Sequence, residues 1–496
     1  MQRTLLTCFN TTTIAQREHL DVVRDWVLTC AAANIPLSKT DHPFVRQFLN
    51  TRVKNGGAIP GGYQLQDAYL TDVYKTERNK LKDKLKDNNV SVIFDETADD
   101  EGRYVLNILL APLVIDGTGK VSSYFADTHF MQKTNHSTVS QAVIQTVQSY
   151  EIAYKNVVVF DTDNATYMKK AYTTVLSGLF PDSIHITCLA HIISLVGESF
   201  WKPFEDVNAI VRAFSQMFYM AGGRKMRYLN YLRQKVASAT MAPDPVATRW
   251  NSWFAAVQYH ANHFQHYHGF VEEEMFVCGK SAPHSLQELE RMMSDETQCL
   301  LLKITLHFIN EMCKPIIDLM DTFESQRLCT LFAFEKMEEL LFFFETHIQF
   351  LEENTQRFLR AEDVNNVTTD QSSKLVHLFC SAVDNAAEKL KKYISDTESG
   401  QPAIKFLKCV RIFNARRVPV MSHVKEDYAS IPGFSAIPEE EFALYTGKVA
   451  LDTIQRTDQT GGIGTNKKND LKNCTSDWNE FCQVKRHLPY KTIHAK

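Results

Sequence analysis

No apolar run in this 496-residue chain is long enough to cross a bilayer. The longest, Leu106 to Ile115, is interrupted by Asn107 and Pro112 and falls far short of the roughly 20 residues a spanning helix needs. The first residues, Met1 to Asn10, lack the apolar core of a secretory signal peptide. The 11 cysteines follow no even framework, which suits free thiols in a reducing compartment. The sequons at Asn135, Asn164 and Asn366 are then coincidental, and nucleus or cytoplasm is the expected location. The N-terminal region has no Cys and His set with zinc-finger spacing, so no structural zinc is expected. Excess positive charge is missing too. A net charge of −4 argues against a surface that grips nucleic acid everywhere, because phosphate neutralisation dominates non-specific affinity. DNA binding, if present, is expected to be local and weak. Three basic stretches stand out: Lys75 to Lys86, Arg224 to Lys235 and Lys405 to Arg417. Each reads first as the solvated face of a helix and only second as a DNA contact.

What is present has the balance of a folded domain, 44% apolar and 23% charged, and the length implies two or three domains. Residues 1–88 read as helical, with helices from Ala15 to Ala32, Pro43 to Leu49 and Leu65 to Leu85 around a Gly56 to Gly62 turn. From 89 to 200 short β-branched and aromatic runs alternate with helical pattern. Strands are expected at Val90 to Asp95, Tyr104 to Ile115, Lys120 to Met131, Val157 to Phe160 and Asp182 to Cys188. Helices are expected from Thr138 to Tyr150, Ala165 to Leu179 and Leu189 to Phe200. From 201 to 415 nearly everything has helical period, including Gln371 to Ser395. The remainder, 416–496, reads as a partial return to the core: irregular beyond Val418, with a flexible stretch from Thr457 to Asn473.

Two aspartates carry the chemistry. Asp95 ends the first strand and Asp163 follows the fourth. Strand, strand, strand, helix, strand, with acids on the first and fourth strands, is the order of an RNase H-like nucleotidyl-transfer core. Two carboxylates brought together there could hold Mg²⁺ or Mn²⁺. The plainer alternative makes each a turn or capping residue; Asp161 competes with Asp163 but abuts the apolar strand directly. Cys188-Leu-Ala-His191 could be half a zinc site, or a buried thiol beside a His that orients a neighbouring carboxylate. The second is favoured, since no other ligand pair is evident. Thr248-Arg249-Trp250-Asn-Ser-Trp253 puts an Arg beside two Trp: a base-stacking device or a structural knot. His260, His263, His266 and His268 mix helix faces and read as exposed.

These blocks in this order resemble the hAT superfamily of DNA transposases and proteins derived from them. The matching residues are Ile93 to Thr97, Asp163 to Ala165, Cys188 to His191, and Thr248 to Trp250. Ala33 to Leu37, Gly56 to Pro60, Phe406 to Phe413 and the Ser476 to Pro489 stretch extend the likeness. The resemblance implies an RNase H-like α/β core interrupted by a large all-α insertion at about 201–415. It implies that Asp95 and Asp163 are the first two catalytic acids and metal ligands, with Cys188 and His191 beside them. It also implies that Arg249 and Trp250 contact nucleic acid. The family's third acid, in a Glu-Arg-x-Phe-Ser type block, has no counterpart here, and Glu439, Glu440 and Glu441 lie in a different block. The usual BED finger and terminal dimerisation block are also absent from the pattern, which leaves the oligomeric state open. The expectation is therefore a domesticated transposase-like protein without strand transfer and with residual nucleic-acid binding. The alternatives are an active metal-dependent nuclease with an unrecognised third acid, or a protein–protein module.

Overall fold

A computed structural model of the chain describes residues 5–54, 56, 59–245, 250–325, 329–361, 367–397 and 400–460. Two compact units are present: one from residues 1–88 with 145–153, the other from 89–144 with 154–496.

The first unit is helical. Its elements are α1 (Leu5–Ala32), α2 (Pro43–Arg52), the short α3 (Gly62–Gln64) and α4 (Leu70–Leu85). Val23 and Val27 of α1, Leu49 of α2, Ile59, Leu65 and Val73 form its apolar centre. Trp26 donates to Thr40 at 2.9 Å, and Arg46 donates to the carbonyl of Pro60 at 3.1 Å and to Asp41 at 3.3 Å. Gly62 is needed for closeness rather than flexibility. A Cβ there would meet the Leu37 carbonyl at 2.7 Å, where its amide donates to Asp41 at 3.0 Å.

The second unit begins with β1 (Val90–Ala98), β2 (Tyr104–Pro112) and β3 (Tyr124–Met131). The helix α5 (His136–Ser149) follows, then β4 (Val157–Thr162), α6 (Thr166–Ala171), α7 (Ser177–Leu179), β5 (Ile184–Thr187) and α8 (Leu189–Trp201). The sheet order is β3-β2-β1-β4-β5. β1–β2 and β2–β3 are antiparallel, whereas β1–β4 and β4–β5 are parallel. The two parallel pairs explain the near-continuous apolar runs in β1 and β4, since parallel strands are covered on both faces. Val90, Val92, Phe94, Val157 and Phe160 are all buried. The third strand starts at Tyr124 rather than Lys120, because Ile115 and Val121 form only an isolated bridge around the Asp116 to Lys120 turn.

Helices then dominate: α9 (Glu205–Phe218), α10 (Gly222–Arg233), α11 (Trp250–His263), α12 (Tyr267–Cys278), α13 (His284–Ser294), α14 (Glu296–Glu324), α15 (Thr330–Ala361), α16 (Thr369–Ile394) and α17 (Ile404–Cys409). One apolar core runs through them from Val159 and Ile186 of the sheet to Phe413 and Tyr445. The region beyond Val418 differs from its irregular expectation, for α18 (Glu439–Thr460) is a 22-residue helix. Phe442 and Tyr445 are buried on it, and the Tyr445 hydroxyl donates to the Ile412 carbonyl at 3.0 Å. The apolar positions three apart were too few to signal a helix by pattern. Residues 461–496, including the rest of the stretch expected to be flexible and the Ser476 to Pro489 block, lie outside the described residues.

Candidate functional site

Register builds the site. Ile93 of β1 is level with Asp161 of β4, and Phe94 with Thr162; one further step brings Asp95 level with Asp163. Thr162 is level with Thr187 of β5, so the same step reaches Cys188. Side chains at one level of adjacent parallel strands share a face. Asp95, Asp163 and Cys188 therefore stand in a row across three strands, Asp163 and Cys188 just past the ends of β4 and β5. Asp95 does not end β1 as expected, because Glu96 to Ala98 go on pairing with Leu106 to Tyr104 of β2. His191, in the first turn of α8, flanks the row.

The electrostatics agree with this geometry. The Asp95 carboxyl is raised above its usual range by partial desolvation, then by the Asp163 charge, and is opposed by His191. Burial and then the Asp161 charge push the Cys188 thiol up to about 11, with Asp95 adding to the rise. A thiol held neutral in this way is a poor metal ligand, because the thiolate is the form that binds. The backbone amide of Cys188 donates to the Thr162 carbonyl at 2.7 Å, locking β5 to β4 at the row.

Asp163 also has a local task. One of its oxygens accepts the Ala165 amide at 3.1 Å, yet the residue capping α6 is Ala165 itself. Tyr167, in the first turn of that helix, donates to Glu96 at 2.9 Å. Its hydroxyl is pushed above the ordinary range by desolvation, by the Glu96 contact and by the Asp163, Glu96 and Asp95 charges. Three acids thus surround one neutral phenol, and Glu96 is a member of the site that sequence spacing gave no reason to select. A regular strand sends Asp95 and Glu96 to opposite faces, so only the position of Tyr167 joins them.

Under the row, His185 is buried, stacks on Tyr172 at 5.0 Å and contacts the Thr162 hydroxyl at 2.9 Å. Burial lowers it to about 4, so it serves as a neutral spacer. The helical region reaches the same strand ends through three polar contacts. Gln401, 2% exposed, accepts from the Thr187 amide at 2.9 Å and donates to the Thr187 carbonyl at 2.6 Å, closing the edge of β5 as another strand would. Asn164 donates to the Tyr393 hydroxyl at 3.1 Å, and Lys169 donates to the Gly400 carbonyl at 3.3 Å.

Arg249 lies outside the described residues, as does the side chain of Trp250, whose backbone opens α11. Trp253 is buried, donates to Asn208 at 2.7 Å and packs 5.5 Å from the Trp201 ring, a structural role. His260 corrects the expectation of exposure. It is 1% exposed, bonds Tyr267 at 2.7 Å, and burial lowers it to about 3. His263 and His266 are half-buried, and His268 is exposed. Glu439 to Glu441 occupy the first turn of α18, where acids complement the helix dipole.

Two of the basic stretches are partly engaged within the fold. Arg224 and Arg227 both clamp Glu274, at 2.8 and 2.6 Å. Lys405 pairs with Asp396 at 3.3 Å, while Arg411 lies over the Phe334 ring at 4.7 Å and Arg417 pairs with Glu335. Their positions on α10 and around α17 read as solvated faces in sequence because the partners come from distant helices. In the third stretch, Lys80 pairs with Glu77 at 2.7 Å and Lys82 with Glu151 at 2.6 Å.

Among the described residues no group of three or more His, Cys, Asp and Glu side chains is arranged to hold a metal ion. No helix among them is long and apolar enough to cross a membrane.

Residues 60–217 match the model of a domain of unknown function, DUF659. That segment spans the whole sheet, the acid row and α8. Residues 13–72 match the CGGBP1 helical domain. CGG triplet repeat-binding protein 1 of Homo sapiens and of Mus musculus are each 49% identical to this chain over 80 residues. Those residues are 16% of this chain and 48% of each relative, so the chain spans about half the length of the curated relatives it matches.

Proposed function

We propose that this chain is a transposase-derived, hAT-like protein on an RNase H-like core, retaining nucleic-acid binding and lacking strand transfer. The observation that carries this reading is the parallel register through Phe94 and Thr162, whose next step brings Asp95 beside Asp163, with the charge of one acting on the other. Further support comes from the sheet order, three antiparallel strands followed by two parallel ones, and from DUF659, a family found in hAT-type transposase-like proteins. The nucleic-acid part rests on the likeness of residues 13–72 to a domain of a CGG triplet repeat-binding protein. A nuclear location goes with that reading.

Asp95 and Asp163 offer hard oxygen donors, the kind suited to Mg²⁺ or Mn²⁺ and not to zinc. Magnesium is commonly held by one or two carboxylates, with water and phosphate oxygens completing the set. The pair therefore fits one such ion, which would supply charge neutralisation to a bound phosphate. Cys188 and His191 would shape the site without ligating, and Arg249 and Trp250 would contact the strand. Clamping both the attacking and the leaving oxygens takes a pair of ions, and two carboxylates are too few for that.

The test combines retention and cleavage. At about 50 mM salt a labelled DNA should be retained and then released steeply as salt rises, with no cleavage in Mg²⁺ or Mn²⁺. Cleavage by the wild type that is lost in Asp95→Asn and Asp163→Asn would overturn the loss of catalysis. Absence of retention at low salt would overturn nucleic-acid binding. A working nuclease is the second reading, and what favours it is Glu96, held by a Tyr167 hydroxyl that also feels the charges of both aspartates. That reading requires Glu96→Gln to abolish cleavage as well.

A further inference from the structure

The helix α2 exposes what a folded domain normally hides. Its first residue is Pro43, preset for a helix start by its fixed φ, and Leu49 on its inner side is buried in the unit's core. On the outer side Phe44 is 76% exposed and Phe48 is 56% exposed. They are four residues apart, so they lie one above the other on one face. Arg52, a further four residues on, is exposed and continues the stripe. Before the helix, the exposed His42 ring stacks on Phe44 with centroids 5.9 Å apart and planes 25° from parallel. Leaving a Phe in water forgoes the favourable burial of its ring. Scattered single exposures are ordinary, whereas two aligned with a third ring form a patch that calls for a partner.

The charge around the patch names the partner's chemistry. Residues 36–54 hold Lys39, Arg46, Arg52 and Lys54 against the single acid Asp41, a local balance of 4 − 1 = +3 in a chain of net −4. Arg46 is used internally and Lys54 pairs with Glu18 at 3.3 Å. Lys39 and Arg52 make no ion pair among the described residues, and α2 itself contains no acid. Resting on the nucleic-acid reading above, we propose that His42, Phe44, Phe48 and Arg52 form a stacking surface for the bases of single-stranded nucleic acid. Phenyl rings carry no donors or acceptors for base edges, so beyond contact with a thymine methyl they read little of a major groove; they stack on any exposed base. Four residues of helix advance about 6 Å, against about 3.4 Å between stacked bases along one strand. The two rings therefore match bases pulled out of a stack, and Arg52 would meet a phosphate.

The experiment is fluorescence anisotropy of the full chain with a labelled oligothymidine and with a duplex of equal length, at low salt. The wild type should hold the single strand more tightly than the duplex. The Phe44→Ala/Phe48→Ala variant should lose about tenfold or more on the single strand, with an unchanged melting temperature because both rings are exposed. Phe44→Leu/Phe48→Leu should lose as much, since leucine keeps apolar area and removes the stacking face. Arg52→Ala should lower the salt slope by about one phosphate contact. If the wild type binds nucleic acid and both Phe variants bind it equally well, the α2 assignment falls and the broader reading stands. If the wild type binds neither probe, both fall. Self-association that the Ala variant abolishes and the Leu variant preserves would make the stripe a contact between copies, and would overturn the proposal.

Discussion

The acid row on the sheet and the Glu274 clamp in the helical region treat charge in opposite ways. At the row, Asp95 and Asp163 share one level of adjacent strands, and their mutual repulsion helps hold Asp95 above its usual range. At the clamp, Arg227 and Arg224 grip a carboxylate that is 1% exposed and hold it down to about 2. Arg224 also donates to the Met217 carbonyl at 2.6 Å, so the pair is tied into the backbone. Like charges kept together are a cost that packing alone does not explain, and such perturbed groups cluster at functional sites. Opposite charges fully paired in a helical core stabilise only that core. On the function proposed above, the difference separates a candidate site from architecture among acids that look alike in sequence.

Breaking the clamp should have the largest effect. Glu274→Ala leaves two guanidinium groups without their partner, and removing one member of a buried pair costs about 3–5 kcal/mol. Urea unfolding should register this as a lower midpoint. Glu274→Leu losing as little as an exposed-site change would show the clamp to be replaceable by apolar packing.

The clamp should also write itself into acid stability. Glu274 ionises near 2 when folded and near 4.5 as a free side chain. The folded state binds fewer protons, so this contribution is fully present above about pH 4.5 and is lost as pH falls toward 2. The difference of 2.5 units is worth about 3 kcal/mol. His260, lowered to about 3 from 6.5, acts in the same direction but begins to lose its contribution below about pH 6.5. Stability against pH should thus fall in two stages, and Glu274→Gln should flatten the lower one while leaving the upper.

A smaller loss is expected where the helical region closes the sheet. Gln401→Ala leaves the buried amide and carbonyl of Thr187 without their side-chain partner, a cost of about 1–3 kcal/mol. Gln401→Glu should cost more than Gln401→Asn, since a carboxylate cannot donate to the Thr187 carbonyl. The smallest change belongs to the acid row and has the reverse sign. In metal-free buffer Asp95→Asn relieves the repulsion from Asp163 and should stabilise by only a few tenths of a kcal/mol, because Asp95 is open to solvent screening. A loss of stability there would mean that Asp95 is bound up in the fold.

Much of the sheet was legible because strand signals are local. Val90 to Phe94 and Val157 to Phe160 announce buried strands by β-branching and length. Asp163 just past β4 follows from position, whereas β1 runs on beyond Asp95 to Ala98 through its pairing with β2. Cys188 carries the same local signal as the last residue of the expected fifth strand, while a place beside the acids for Cys188 and His191 is what the family resemblance implies. What escaped depends on partners far away in the chain. Gln401 is one polar residue in a loop, and its role appears only when Thr187, more than 200 residues earlier, comes alongside. Glu274 sits in the run Glu272-Glu273-Glu274 and nothing local distinguishes it from its exposed neighbours. His260 looked exposed because its spacing from His263 mixes faces, yet α11 is enclosed by α9 and α12 through Phe214 and Tyr267. Phe44 and Phe48 carried a readable signal, two aromatics at helical spacing amid basic residues. A pattern of that kind is usually a buried face, and only exposure tells the two apart.

The central claim is that Asp95 and Asp163 act as one site. Calorimetric titration of the intact chain with Mg²⁺ or Mn²⁺, beside Asp95→Asn and Asp163→Asn, tests it most directly. One specific binding event is expected, lost in both variants while they remain folded. Absence of specific heat in the wild type, or binding that survives either substitution, would contradict it.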